Sequence, residues 1–90
     1  MILGTFTKQP ADTTDYDLDY IDWLTAGDNV QSMVVTADAG ITTSHFVADP
    51  RVKIWVSGGM AGATYKVTCT MTSADGRIRQ DEFKIRCKEY

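Results

Sequence analysis

The residues of this chain that could do chemistry are two cysteines, one histidine and a run of aspartates. Cys69, Cys87 and His45 belong to the residue types that bind zinc or act as nucleophile and base. However, no C-x-x-C spacing joins the cysteines, as a zinc site of this kind would require. A lone histidine within a β-branched run is typical of a surface or interface residue. The sequence therefore predicts a protein that is not an enzyme, with no catalytic residue, no metal site and no cofactor.

Three of the aspartates alternate with apolar residues in the stretch DYDLDY. Asp15, Asp17 and Asp19 lie on one side of an extended strand, because successive side chains point to opposite faces. Same-side carboxylates are then about 7 Å apart, which disfavours convergence on one calcium ion. Calcium binding is therefore the least favoured of three alternatives. The other two are a solvated face that discourages edge-to-edge aggregation and an acidic face that docks a basic partner.

Positive charge is concentrated in the second half of the chain. Residues 1–50 carry eight aspartates and one lysine, a net charge of −7, whereas residues 51–90 have a net charge of +4. The predicted basic face on the last strands consists of Arg77, Arg79, Lys84 and Arg86. Nucleic-acid-binding domains are usually basic overall and have aromatic residues among the charges, but the whole chain has a net charge of −3. The face is therefore predicted to meet proteins rather than nucleic acid, unless each half is simply solvated.

Short β-strands must position these residues. Alternating or β-branched runs lie at 16–20, 29–35, 41–47, 52–56, 65–71 and 83–87. Turn signals separate the runs at a spacing of about ten residues, and the only helix-like piece, 19–28, is one turn long. Six or seven short strands of this kind predict an all-β fold, an antiparallel β-sandwich.

The strongest hairpin signal is Asp75-Gly76. The runs 65–71 and 83–87 both place their odd-numbered apolar residues inward, so the numbers of facing residues must sum to an even number. A three-residue loop at 74–76, with Gly76 in the left-handed conformation, meets this requirement, whereas a two-residue loop does not. The sequence therefore predicts one register for the last two strands.

This register decides the state of the cysteines. It places Cys69 opposite Asp81 and Cys87 opposite Ala63, so the cysteines lie about 20 Å apart along the sheet. A disulfide requires Cα atoms within about 7 Å. We therefore predict two reduced and buried thiols that fill the core.

The glycine-rich stretch SGGMAGATY precedes the first of these two strands. It lacks the Gly-Lys-Ser/Thr ending of a phosphate-binding loop, and a strand rather than a helix follows it. Gly58, Gly59 and Gly62 are expected to turn the chain between the two sheets with positive φ. Tyr65 can donate or accept a hydrogen bond across this corner, as in the tyrosine corner of immunoglobulin-like domains.

The order and spacing of four motifs resemble those of a group of small immunoglobulin-like virion proteins of tailed bacteriophages. The motifs are DYDLDYIDWL, AGDNV, IWVSGGMAGATYKVTCTMTSADGR and FKIRC, which together span about Asp15 to Cys87. Members of the group are fibre–tail adaptor, head–tail joining or tail accessory proteins. The matching positions, which are mainly fold-defining, are Asp22, Trp23, Leu24, Gly27, Asp28, Gly58, Gly59, Gly62, Tyr65, Asp75, Gly76 and Arg77.

The resemblance implies a fold, a function and a set of partners. The fold would be an immunoglobulin-like β-sandwich over residues 15–90, and the protein a structural part of the virion. It would form a homo-oligomer or be present in several copies per particle, and it would contact tail, neck or fibre proteins, with no membrane partner. The alternatives are a capsid decoration protein and an immunoglobulin-like module that binds a host glycan or protein. The last would use exposed aromatic side chains, for which His45, Trp55 and Tyr90 are the candidates.

Two further features lie outside these motifs or depart from the inward pattern. Trp55 has the opposite parity to Val52, so we expect it to anchor an interface or to cover a second layer. Residues 1–14 form a predicted N-terminal arm, whose apolar ILGTF start can add a strand to a neighbouring subunit. The start also lacks the basic n-region of a secretory signal, which favours synthesis in the cytoplasm. The resemblance implies that this is the cytoplasm of a bacterial host and that the protein is then built into the virion.

Overall fold

Seven β-strands make up most of the molecule. The structure is a computed structural model that describes residues 2–89, and of Ile2 only the backbone. The strands are β1 (Ile2–Lys8), β2 (Thr14–Asp19), β3 (Val30–Ala37), β4 (Ile41–Ala48), β5 (Arg51–Gly58), β6 (Thr64–Ser73) and β7 (Ile78–Cys87). They confirm the predicted all-β fold.

The strands form two sheets with the topology of an immunoglobulin-like sandwich. One sheet has the order β1-β7-β6-β3 and the other the order β2-β5-β4. In the letters used for immunoglobulin domains, β2-β5-β4 corresponds to B-E-D, and β3-β6-β7 corresponds to C-F-G. The first strand differs from the constant-type arrangement, because it pairs with the last strand rather than with β2.

The pairing of β1 is the element that the sequence did not reveal. β1 runs parallel to β7 of the same chain, with Thr5 opposite Lys84 and Lys8 opposite Cys87. The Lys8 side chain is buried, and its ammonium group donates to the carbonyl oxygens of Gln9 at 2.8 Å and Asp12 at 2.9 Å. Over residues 2–14, the predicted arm is therefore part of the sandwich. Its pairing with a neighbouring subunit stays a prediction.

The core lies between the two sheets and follows the predicted parity. The last two strands have the predicted register, with Cys69 opposite Asp81, and the Cys87 amide donates to the Ala63 carbonyl at 2.9 Å. The loop between them is 74–76, since the Ser73 amide donates to the Arg77 carbonyl. Among the described residues, the fully buried apolar side chains are Val52, Ile54, Val56, Val67, Cys69, Met71, Phe83, Ile85 and Cys87. Burial of each large one contributes about 1.5–3 kcal/mol.

Both cysteines are free and fully buried, as predicted. Removal of the Cys69 thiol from water, together with the nearby Asp81 carboxylate, raises its pKa to about 12. A thiol with so high a pKa is protonated at neutral pH and is a poor nucleophile. Cys69 therefore acts as an apolar side chain of the core.

The corner between β5 and β6 carries the chain from one sheet to the other, as expected from its glycines. Gly58 and Gly59 have φ values of 83° and 102°, and a Cβ on Gly59 would overlap the Cys87 sulfur. The Tyr65 hydroxyl accepts a hydrogen bond from the Met60 amide at 3.0 Å. The predicted bond from Tyr65 across the corner is therefore present, and it fixes the path of the turn.

Candidate partner-binding surfaces

The predicted acidic face, Asp15, Asp17 and Asp19, forms a ladder of carboxylates on the outer face of the three-stranded sheet, here called the acidic ladder. β2 pairs with β5 so that Asp17 is opposite Lys53 and Asp19 is opposite Arg51. The Lys53 ammonium lies 3.2 Å from a carboxylate oxygen of Asp15 and 4.0 Å from one of Asp17, and Arg51 Nε lies 3.3 Å from Asp19. Such exposed pairs contribute about 0–1 kcal/mol each. The ladder is thus largely neutralised by its own sheet, and within residues 2–89 no cluster of potential metal ligands occurs.

Two aromatic side chains stand on the same outer face. Trp55 is 41% exposed and Phe46 is 66% exposed, and their strands pair so that Ser44 is opposite Trp55 and Phe46 is opposite Lys53. The Lys53 ammonium lies 5.8 Å from the centre of the Trp55 ring. Trp55 therefore points outward, as its parity predicted. Its role as an interface anchor stays a prediction.

The four residues of the predicted basic face do not lie on one face. Arg79 has the inward parity of β7 and is half-buried, whereas Lys84 and Arg86 point outward on the four-stranded sheet. Lys66 is opposite Lys84 on this outer surface, and its ammonium group lies 3.7 Å from the Glu82 carboxylate. The outward cations are therefore three, of which one pairs with an acidic neighbour. Arg77 lies in the turn before β7 and pairs within the chain. The predicted basic face joined these four residues because they are close in sequence, but side chains alternate between the two faces along a strand.

Arg77 belongs to a contact between two of the fold-defining motifs. Asp28 has a fully buried side chain and accepts hydrogen bonds from the amides of Asn29 at 2.9 Å and Asp75 at 3.0 Å. Arg77 Nη1 donates to the other carboxylate oxygen at 3.0 Å. Burial alone raises the pKa of Asp28, but hydrogen bonds from Ser73, Asp75, Asn29 and Arg77 outweigh it and hold the pKa below its ordinary value. Through these hydrogen bonds, the Asp28 carboxylate holds the loop between β2 and β3 against the β6–β7 hairpin.

A groove of about 700 Å³ opens where the two sheets separate, between the edge strands β1 and β2. Its aromatic wall is formed by Phe6, Tyr16 and Phe83, whose ring centres are 4.9 to 5.9 Å apart. Leu3 and Phe6 on β1 remain 39% and 40% exposed. The groove is therefore apolar along one side and open to solvent.

The end of the groove beyond this wall is polar. Tyr20 begins a single helical turn, in which its carbonyl accepts hydrogen bonds from the amides of Trp23 and Leu24. This turn brings the Trp23 ring to 5.4 Å from the Arg79 guanidinium, and Arg79 Nε donates to Asp81 Oδ2 at 2.9 Å. Asp22, a predicted fold-defining residue, is exposed and lines the groove.

Two polar atoms of this end have no hydrogen-bond partner among residues 2–89. They are the Tyr20 hydroxyl and Asp81 Oδ1, and both residues are 3% exposed. Burial raises the pKa of Tyr20, and the neighbouring Cys69 and Asp81 add to the rise, while Arg79 opposes it. The phenol therefore remains a hydrogen-bond donor at neutral pH. Buried polar atoms without partners are rare in folded proteins.

Tyr20 and Asp81 are not among the site residues predicted from the sequence. The predicted register already placed Asp81 opposite Cys69 on the inner face, and a carboxylate at an inward position of a strand was the available signal. The groove itself was hidden, because its second wall is β1, whose partner strand is far away in the sequence.

The remaining aromatic candidates are separate from this groove. His45, on β4, is exposed and lies opposite Ile54 of β5. Tyr90 lies outside the described residues. Within the part of the chain that the structure describes, no helix is long and apolar enough to span a membrane.

Comparison with known proteins identifies a family. The family model of the podophage GP4 fiber-tail adaptor protein gp77 matches residues 8–86. The match includes every strand except most of β1. No curated protein matches the chain. The chain belongs to the gp77 fiber-tail adaptor family, which confirms the resemblance to fibre–tail adaptors of tailed phages.

Proposed function

We propose that the protein is a structural, non-enzymatic component of a podophage virion that joins tail fibres to the tail. The family match over residues 8–86 carries the proposal, because it includes nearly the whole sandwich. The protein acts by holding two partners at a fixed distance and angle, and for this task a rigid domain with several separate contact surfaces is sufficient.

The surfaces differ in chemistry, which favours different partners for each. The outer face of β2-β5-β4 presents Trp55 and Phe46 beside the acidic ladder. The outer face of the other sheet presents the cations Lys66, Lys84 and Arg86. Aromatic residues are enriched at the energetically dominant positions of protein interfaces, whereas charged patches increase association rates and give salt dependence. We infer that several copies act in one particle, each through more than one such face.

The proposal is tested by making particles without the protein. Virions from a host infected with a phage that carries a stop codon in this gene should have tails without fibres, as counted in electron micrographs. Complementation with the wild-type chain should restore the fibres. Trp55→Ala should restore fewer, whereas Met60→Ala, at an exposed apolar residue in the corner between β5 and β6, should restore wild-type numbers. Particles that keep their full set of fibres without the protein would contradict the proposal.

A further inference from the structure

We propose that the groove between β1 and β2 binds an extended segment of a partner virion protein, and that a cationic side chain of this segment, flanked by apolar ones, reaches Asp81 and Tyr20. This inference rests on the proposed function, since it supplies one of the contacts of the adaptor. The groove opens at the edge of the two sheets, and it shares Asp15, Asp17 and Asp19 of β2 with the outer face of the three-stranded sheet.

The unpartnered atoms indicate a hydrogen-bonding occupant. Arg79 engages only Oδ2 of Asp81, so Oδ1 can accept one more hydrogen bond. The Tyr20 hydroxyl has none at all. A buried acceptor that has lost water and gained no donor is costly, and a charged donor forms the strongest bond with a carboxylate. A guanidinium or ammonium group satisfies Asp81 directly, and a neighbouring carbonyl of the same segment accepts from Tyr20.

The charge of the lining residues favours a cation. Five aspartates line the groove, at positions 15, 17, 19, 22 and 81, together with the single cation Arg79. Lys53 and Arg51 pair with the ladder from the outer face of the sheet. Within residues 2–89, Asp22 has no ion-pair partner. The groove thus retains negative charge after its internal pairs are formed, and an acidic segment would be repelled.

The two walls favour an extended backbone. Within the described residues, β1 pairs only with β7 and β2 pairs only with β5, so both strands present a free edge at the groove. An extended segment can add to such an edge through main-chain hydrogen bonds, while alternate side chains enter pockets. Leu3, Phe6 and Trp23 supply the apolar contacts, and the volume of about 700 Å³ is within the range of ligand-binding pockets.

The test is an NMR titration of the ¹⁵N-labelled protein with two capped peptides, Ac-Val-Leu-Arg-Val-Thr-NH2 and the same peptide with citrulline in place of arginine. Citrulline keeps the shape of arginine and removes its charge. The arginine peptide should shift the amides of Leu3 and Asp81 and the indole resonance of Trp23, and it should bind at least about 10-fold more tightly than the citrulline peptide.

Matched variants separate the groove from general charge. Asp81→Asn should weaken binding of the arginine peptide at least about 10-fold. Asp38→Asn removes the same charge from an exposed residue in the turn between β3 and β4, outside the groove, and should change binding less than about 2-fold. If Asp81→Asn does not fold, Leu3→Ala, at a half-exposed position, should weaken binding of both peptides. Each variant is first checked for a native spectrum.

Four results would overturn the inference. The first is equal affinity for the two peptides, and the second is an unchanged affinity in Asp81→Asn. The third is the absence of groove shifts with peptide at about 10 mM, since this concentration is far above the Kd of a specific contact. The fourth is a set of groove shifts that depend on protein concentration alone. The last would indicate a second copy as the occupant. Because these measurements use the isolated protein, they can fail while the fibre counts still support the adaptor function.

Discussion

The corner at 58–65 connects the two sheets through the chain, whereas the groove between β1 and β2 lies where the edges of the two sheets separate. At the corner, the Tyr65 hydroxyl has a partner and Gly59 lies against Cys87 with no room for a side chain. In the groove, the Tyr20 hydroxyl has no partner and Phe6 remains 40% exposed. The corner is complete without any other molecule, and the groove is not. The difference teaches that fold-defining and partner-binding residues can be distinguished by whether their polar atoms are hydrogen-bonded and their apolar side chains buried within the chain.

The largest effect is expected at the tightest point of the corner. Gly59→Ala should lower the free energy of unfolding by about 2–4 kcal/mol, because it adds left-handed backbone strain to an overlap with the Cys87 sulfur. Gly62→Ala is the matched control, since Gly62 also has positive φ but has no atom near the added Cβ, and it should cost about 1 kcal/mol. Urea unfolding of both variants measures the difference, and equal losses would contradict the tight packing at Gly59.

The Asp28 carboxylate, whose hydrogen bonds are also satisfied within the chain, should contribute less to stability than Gly59 does, and its contribution should depend on pH. Asp28→Asn should destabilise the protein less than Gly59→Ala does, because the amide keeps the shape but loses the charge that four hydrogen bonds favour. Since the folded-state pKa is below the ordinary 3.8, the stabilisation is present above that pH and is lost as the pH falls through the folded-state value. The stability gap between wild type and variant, measured by thermal unfolding from pH 7 to pH 2, should therefore close below about pH 3.8. A gap that stays constant over this range would contradict the lowered pKa.

The smallest expected effect compares the two tyrosines directly. Tyr65→Phe should cost about 1–2 kcal/mol, because the Met60 amide loses its acceptor. Tyr20→Phe should be neutral or stabilising by up to about 1 kcal/mol, because it removes a buried hydroxyl that has no partner. In urea unfolding of the isolated protein, the midpoint of Tyr65→Phe should therefore be lower than that of the wild type. The midpoint of Tyr20→Phe should be unchanged or higher. A larger loss at Tyr20 than at Tyr65 would mean that the groove is as complete as the corner.

Much of the fold was predictable because its signals are local. Alternation gave the inward faces of β5, β6 and β7, and the parity of the Asp75-Gly76 hairpin gave the pairing of Cys69 with Asp81. The corner followed from glycines close to a tyrosine in sequence. Each of these inferences needed only residues within a few positions of a turn.

The rest depends on distant contacts. No local pattern in ILGTFTK indicates a parallel partner near residue 85, because parallel strands have no connecting turn to fix their register. The basic face failed for a simpler reason, since Arg79 and Lys84 differ in parity and so cannot point the same way from one strand. The groove needed both β1 and the Asp81 carboxylate, and only the second was visible in the sequence.

The parallel pairing of β1 with β7 also has a consequence for synthesis. Of the seven strands, β1 is synthesised first and β7 last, so β1 cannot pair until β7 has been made. Closing so long a loop is slow compared with forming the hairpins that precede it. A newly made chain therefore exposes the rings of Tyr16 and Phe83 until its own first strand, or an extended segment from another protein, comes to cover them.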